Sequence, residues 1–298
     1  MTEPRVHLAA AFGLRWQSDL PLDHFAPLEQ GDPDVRVSRV AALAERGSLA
    51  SVRRGHIYAD GTRFPWEEEA VFDTYAGSRV DYLPGPAWKG VLPHAFYGTV
   101  AAQVLAWRGL IPLHACAVEI GGRAVLIAGP GGAGKSSLMS GLLETGAALV
   151  SDDLTAIDMR DDAANALPGR TTIRLGEAVA QWTGGMRIAP PSPATRGKYV
   201  IRPVTRTSAA GLPIAALLDL GQDAVLPPAA RAQAFARHLF RPAWLAALPG
   251  HPARLQALLR LAARVPVIGF PAIEAQGQAA HVARAHAALA RIEALIAS

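Results

Sequence analysis

A single cysteine, Cys116, stands in 298 residues, so no intrachain disulfide can form and no cluster of thiolates can hold a metal. Lysine is almost as scarce: of 29 basic residues only Lys89, Lys135 and Lys198 are lysines, and the arginines are scattered along the chain. With no Lys/Arg block and no interleaved aromatics, a net charge of +4 and a pI near 9.6 do not make a nucleic-acid surface. No run of 18 uncharged apolar residues occurs, and the first residues lack a basic segment followed by an apolar one. These absences predict a soluble, cytoplasmic protein with neither nucleic-acid nor membrane partners.

Half of the residues are hydrophobic, which is enough for a substantial core in one large domain or two. Against this background one stretch carries chemistry. Gly129-Pro130-Gly131-Gly132-Ala133-Gly134-Lys135-Ser136 fits G-x-x-x-x-G-K-[ST], the loop whose backbone N–H groups wrap the phosphates of a nucleotide. An apolar strand, Ala124–Ala128, precedes it, and Leu138, Leu142 and Leu143 follow at helical spacing from Ser136 to Glu144. The pattern predicts nucleotide binding by Gly129, Gly131, Gly132, Ala133, Gly134, Lys135, Ser136 and Ser137. Lys135 supplies charge at the β/γ-phosphates and Ser136 a hydroxyl for Mg²⁺. The loop reads phosphates and not the base, so ATP is the expected nucleotide with GTP left open.

Residues 1–92 read as a β-rich domain, with strand-like stretches over 6–14, 35–40, 50–58 and 69–82 and a hairpin turn at Asp60-Gly61. His7, His24 and His56 lack metal-ligand spacing and read as surface or packing residues. Pro84-Gly85-Pro86 marks a boundary, and a helix over 95–108 leads toward the second domain, 93–298.

A strand over 113–120 is joined to Ala124–Ala128 through Gly121-Gly122. If Ile120 pairs with Arg123, His114 falls opposite Gly129, which delivers it to the mouth of the phosphate loop. Beyond the loop helix, the short apolar strand 147–150 ends in Ser151-Asp152-Asp153, with Asp152 placed 17 residues after Lys135. Carboxylates at such a strand end can hold Mg²⁺ or accept a proton from an attacking hydroxyl. A tip over 158–162 follows, and then Arg170 and Arg174, which alternate toward one strand face and could reach a phosphate. Lys198 sits in a Pro/Gly/Ser/Thr-rich stretch as a candidate peptide or phosphate contact. Further on, 214–220 and 265–270 read as strands and 228–238, 242–248, 252–263 and 278–296 as helices.

Leu113-His114-Ala-Cys-Ala-Val, the phosphate loop, and Leu149-Val-Ser-Asp152-Asp153 together resemble the nucleotide domain of the HPr kinase/phosphorylase family, over about residues 94–220. The resemblance implies an α/β fold: an HPr-kinase-like P-loop domain with a smaller β-rich N-terminal domain and a helical C-terminal region. The Glu-, Arg- and Gly-rich stretch linked to phosphorylase activity in that family is not recognisable, and the N-terminal half is unlike theirs. The combination is more similar to the HPr-kinase-like proteins of lasso-peptide gene clusters. That resemblance implies an ATP-dependent serine kinase acting on a ribosomally made precursor peptide, typically at its C-terminal serine.

By position it assigns Asp152 as base and Asp153 as metal partner beside Ser136. It makes His114 a proton-network residue and Lys135 a phosphate ligand, while the residues themselves, apart from the resemblance, point to Arg174 as a charge stabiliser beside Lys135 and to Lys198 and Arg170 as substrate contacts. An HPr-like protein kinase, a small-metabolite kinase and a nucleotide-gated binding module remain alternatives, and homo-oligomerisation stays open.

Overall fold

Alternation of buried and open positions builds the first sheet. In Val35–Arg39, for example, Val35 and Val37 are buried while Arg36, Ser38 and Arg39 are exposed. The computed structural model describes residues 6–161, 163–192, 195–207, 210–222, 224–272 and 277–296. Asp162, the end of the expected acidic tip, lies outside them. The protein is mixed α/β, with three sheets and seven α-helices among the described residues.

Nine strands form the N-terminal sheet: β1 His7–Ala11, β2 Leu14–Ser18, β3 Ala26–Leu28, β4 Val35–Arg39, β5 Ala50–Val52, β6 Gly55–Tyr58, β7 Gly61–Trp66, β8 Ala70–Tyr75 and β9 Arg79–Pro84. Their order is β3-β1-β2-β4-β9-β8-β7-β6-β5, antiparallel except for the parallel pairs β2–β4 and β4–β9. Three of the four expected stretches therefore divide into hairpins. The turn expected at Asp60-Gly61 falls one residue earlier, because Tyr58 pairs with Gly61 and leaves Ala59-Asp60 as the loop. Gly61 is needed inside the strand: a Cβ there would lie 1.8 Å from the Thr74 carbonyl oxygen.

The segment expected as a lead-in helix is a π-helical turn, Phe96–Val100, continued by α1 Ala101–Trp107. It is apolar almost all round, and a helix of that kind has no face to give to water. It is accordingly buried against Trp16, Phe72 and Tyr82 of the first sheet and against Phe25 just before β3, so the N-terminal core extends past residue 92. Each large side chain so buried contributes about 1.5–3 kcal/mol of transfer free energy.

The second sheet holds the phosphate loop. Its strands are β10 Ile111–Leu113, β11 Cys116–Ile120, β12 Arg123–Ala128, β13 Ala148–Ser151, β14 Thr155–Asp158 and β15 Asn165–Leu167, joined later by β19 and β20. β16 Ile173–Leu175, β17 Met186–Ala189 and β18 Tyr199–Arg202 make a separate small sheet in the order β16-β18-β17, before β19 Leu212–Leu220 and β20 Val267–Phe270 complete the larger one.

In the larger sheet β12 runs parallel to β19, and β19 parallel to β20, with the other pairings antiparallel. The β11–β12 hairpin has the expected register, Ile120 to Arg123 through Cys116 to Ile127. The strand expected over 113–120 is broken, however: Leu113 belongs to β10 and pairs with Thr155, and the chain bends at His114-Ala115.

The helices are α2 Lys135–Glu144, α3 Glu177–Ala180, α4 Pro228–Arg237, α5 Pro242–Ala247, α6 His251–Arg264 and α7 Gln278–Ile296. From α4 to α7 the C-terminal region is largely helical, interrupted by β20, and its helices pack on the sheets. Residues of α4 and α6 cover one core of the larger sheet, residues of α2 and α7 the other, and Trp244 and Leu245 of α5 enter the N-terminal core. The α5 contact and the helix at 96–107 bring the first sheet against the mouth of the phosphate loop.

Candidate active site

The loop leaves the C-terminal end of β12 and enters α2, with Gly129 at φ 152°, Gly132 at 83° and Gly134 at 88°. Only glycine takes these values without strain, and two positions are also crowded. A Cβ at Gly129 would approach Leu220 Cβ to 2.8 Å, and one at Gly134 would meet the Arg284 guanidinium at 2.9 Å. Lys135 Nζ donates to the carbonyl oxygens of Gly129 (2.9 Å) and Pro130 (3.2 Å), which holds the ammonium over the loop. Gly131, Gly132, Gly134, Lys135, Ser136 and Ser137 line a cavity of about 400 Å³. Ala133 does not line it; its side chain packs against the core beneath.

The two aspartates after β13 diverge. Asp152 is buried, and its Oδ1 accepts from Cys116 Sγ at 3.1 Å and from Ser136 Oγ at 3.3 Å, while Oδ2 accepts from the Arg174 backbone N–H at 3.0 Å. It faces only the loop-side cavity. Burial, helped by the Asp152 charge, pushes the Cys116 thiol well above its usual range, so it is a neutral donor here.

Asp153 turns the other way, on a backbone at φ 70°. Its Oδ2 lies 3.4 Å from His94 Nε2, 3.5 Å from Arg174 Nη2 and 3.9 Å from Arg170 Nη1, and its Oδ1 is 3.7 Å from His114 Nδ1. Burial alone would raise this carboxyl, but the His94 hydrogen bond and the Arg170 and Arg174 charges outweigh it and hold the group far below the usual carboxylate range.

The His94 tautomer follows from its neighbours. Arg170 Nη1 can only donate, so His94 Nδ1 accepts at 3.1 Å and the ring proton sits on Nε2, toward Asp153. Burial and then the Arg170 charge bring the His94 pKa down to about 3, so the ring is neutral near pH 7. His24 is also brought to about 3 by burial and Arg170; its Nδ1 lies 2.7 Å from Thr172 Oγ1 and its ring packs edge-on to Tyr97. For His114 burial is again the largest effect and lowers the pKa, opposed by Asp153.

A second cavity, of about 740 Å³, opens on the far side of Asp153. His114, Gly131, Asp153, Arg174 and Arg196 line both cavities and form their common wall. His114 thus stands at the loop mouth, as the hairpin register predicted, although the ladder itself ends at Cys116; its backbone N–H donates to the His238 carbonyl at 2.7 Å. Arg174 is held between buried Ile173 and Leu175 on β16, the alternation expected of it. Lys198 is exposed on the rim of the loop-side cavity.

Arg170, expected to contact substrate, lines neither cavity. It is 3% exposed and donates to the Tyr97 carbonyl, so it lies behind Asp153 and His94 and steadies them from within.

Two groups escaped the sequence reading. His94 precedes the π-helical turn in a stretch with no motif. Asp219, next to last in β19 and paired with Ala128, accepts from Arg237 at 3.0 Å, lies 2.9 Å from His238 Nε2, and lines the larger cavity. An acid at the C-terminal end of the strand parallel to the loop strand is a topological signal, legible only once β12 and β19 are known to be neighbours. Among the described residues, no three His, Cys, Asp or Glu side chains converge as a metal cage.

No family model matches the chain, and no curated protein is significantly similar to it. Among solved structures, an Hpr(Ser) kinase/phosphatase from Coxiella burnetii is similar at 15% identity and a TM-score of 0.34, over 61% of this chain and 91% of that one. Among the described residues no helix is long and apolar enough to cross a membrane.

Proposed function

We propose that this chain is an ATP-dependent kinase, with residues 93–298 as the catalytic unit and residues 1–92 as a β-rich domain flanking its acceptor side. The acceptor is a serine hydroxyl of a ribosomally made precursor peptide of the lasso type, at or near its C-terminus. One observation carries the reading: a cavity lined by Lys135, Ser136 and most of the phosphate loop, and a larger cavity that the loop's first residues, Gly129 to Gly131, also reach, meet at a wall where an ionised carboxylate, Asp153, is exposed to both. A phosphoryl donor on one side and a hydroxyl on the other would meet there.

The surroundings of the two aspartates favour an exchange of the roles that the family resemblance assigns by position. Ser136 and Asp152, 3.3 Å apart, are the hard oxygen donors that would hold Mg²⁺. When bound, the ion offsets charge on the β- and γ-phosphates. Asp153 takes the proton of the attacking hydroxyl as that oxygen bonds to the γ-phosphorus and the bond from phosphorus to the β–γ bridging oxygen breaks. A carboxylate with so low a pKa is a weak base, which suits a loose transition state in which the proton leaves late. His94 and Arg170 fix its orientation. Lys135 and Arg174 stabilise charge on the transferred group, and His114 lies within reach of the same proton network.

Intact-mass measurement of candidate precursor peptides after incubation with Mg-ATP tests the proposal, with Lys135→Ala as the control and a metabolite panel beside it. A gain of one phosphate on a peptide with wild-type protein, absent with Lys135→Ala at unchanged melting temperature, supports it. Phosphorylation of a small metabolite alone would replace the peptide, and no turnover on any acceptor would favour a nucleotide-gated binding module.

A further inference from the structure

The larger cavity carries more positive charge than its chemistry uses. Five arginines and two aspartates line it. Asp219 is taken up by Arg237 and His238, and Asp153 by His94, Arg170 and Arg174. Arg53, Arg196 and Arg241 remain, and none of them has a carboxylate within ion-pair distance among the described residues.

They arrive from three places in the chain: the β5–β6 turn, the segment before β18, and the residue preceding α5. Each has its backbone at φ 55°, a conformation that costs a side-chain-bearing residue about 1 kcal/mol or more unless its surroundings fix it. Arg196 stacks over Trp66 with 5.4 Å from its guanidinium carbon to the ring centroid, and Arg241 Nε donates to Thr99 Oγ1 at 3.3 Å. Trp244 and Phe240 add apolar wall. Arg241 is half-buried, and its pKa is lowered first by burial and then by the charges of Arg53 and Arg196. The half-buried Arg241 guanidinium, set beside the exposed charges of Arg53 and Arg196, carries a penalty that an entering anion relieves.

We propose that Arg53, Arg196 and Arg241 form an anion subsite of the acceptor cleft, so that the molecule carrying the accepting hydroxyl also carries a carboxylate or phosphate group. The proposal rests on the reading of this cavity as the acceptor side, and it names a property of the acceptor that the phosphate loop does not. Arg196 lies on the wall shared with the loop-side cavity, so the subsite abuts the reacting centre. Guanidinium forks bind either oxyanion in bidentate fashion, with the tryptophans flanking whatever stem bears it.

The test separates this site from the loop. Succinate and inorganic phosphate are titrated calorimetrically into wild-type protein already saturated with Mg-ADP, and in parallel into Lys135→Ala protein without nucleotide. Saturable binding of either probe is expected in both preparations, weakened about tenfold by Arg53→Gln or Arg196→Gln and abolished in the double variant. Both residues are exposed, so these variants should keep the wild-type melting temperature. Preference for succinate assigns a carboxylate and preference for phosphate assigns a phosphate group. No saturable heat from either probe, or equal affinity in the double variant, overturns the subsite. If the wild-type protein fails to bind Mg-ADP, the kinase reading fails, while the Lys135→Ala titration still decides the subsite.

Discussion

Arg170 and Asp153 are joined twice: directly at 3.9 Å, and through His94, whose Nδ1 accepts from Arg170 and whose Nε2 faces the Asp153 carboxylate. The direct contact is long for a hydrogen bond, so the histidine bridge is the better-made link. Arg170 itself is buried and lines neither cavity.

The first prediction follows from that arrangement. Arg170→Met removes three donors to buried acceptors at once, the Tyr97 carbonyl and both His94 acceptors. Unfolding in urea should show a loss of about 1–3 kcal/mol, the usual cost of leaving buried polar groups unpaired. Turnover should fall while KM for ATP stays near wild type, because Arg170 touches neither cavity. A raised KM for ATP with unchanged stability would mean that it contacts nucleotide after all.

Acid should destabilise the protein earlier than carboxylate titration alone would. His24 and His94 have folded pKa values of about 3 against an ordinary value of 6.5. Between those values the unfolded chain binds protons that the folded chain refuses, so stability falls as pH drops below 6.5 and the fall continues toward 3. Each histidine contributes at most about 1.4 kcal/mol per pH unit. Asp153, with its depressed pKa, adds loss of the same sign only below the ordinary carboxylate value. Urea midpoints at pH 7.5 and 5.5 should therefore differ, and the difference should shrink in the double variant His24→Gln, His94→Gln. An unchanged difference would place the titration elsewhere.

Cys116 should be inert in the folded state. Its side chain is fully buried, its thiol is pushed well above its usual range, and it donates to Asp152. An aromatic disulfide reagent at pH 8 should find no reactive thiol until denaturant is added. Cys116→Ser keeps a donor to Asp152 and should bind Mg-ATP nearly as wild type; Cys116→Val removes the donor and should weaken the Mg²⁺-dependent part of binding. Equal affinity in the two would show that the contact leaves Asp152 unaffected.

Local patterns in the sequence reached a good part of this arrangement. The phosphate loop, its strand and helix, the Gly121-Gly122 register, the placing of His114 and the alternation around Arg174 all depend on residues a few positions apart, and so does each C-terminal helix. What escaped depends on distant pairing. The parallel contacts of β4 with β2 and β9 leave no local mark, and neither does the proximity of Asp219 to the loop. The helix at 96–107 was legible as a helix but not as part of the N-terminal core, because an all-apolar helix does not say which sheet it faces. Adjacent aspartates look alike in sequence; only the left-handed backbone of Asp153 turns one toward Ser136 and the other toward His94.

The division of labour between those aspartates is open to direct measurement by calorimetric titration of Mg-ATP into Asp152→Asn and Asp153→Asn, beside the turnover of each. Asp153→Asn should bind Mg-ATP as wild type and lose about 10² to 10⁴ in turnover, since an amide cannot accept the hydroxyl proton. Asp152→Asn should instead lose the Mg²⁺-dependent part of nucleotide affinity before any chemistry occurs. If Asp153→Asn abolishes Mg-ATP binding while Asp152→Asn binds normally and fails to turn over, the roles stand the other way round and the account of this site is wrong.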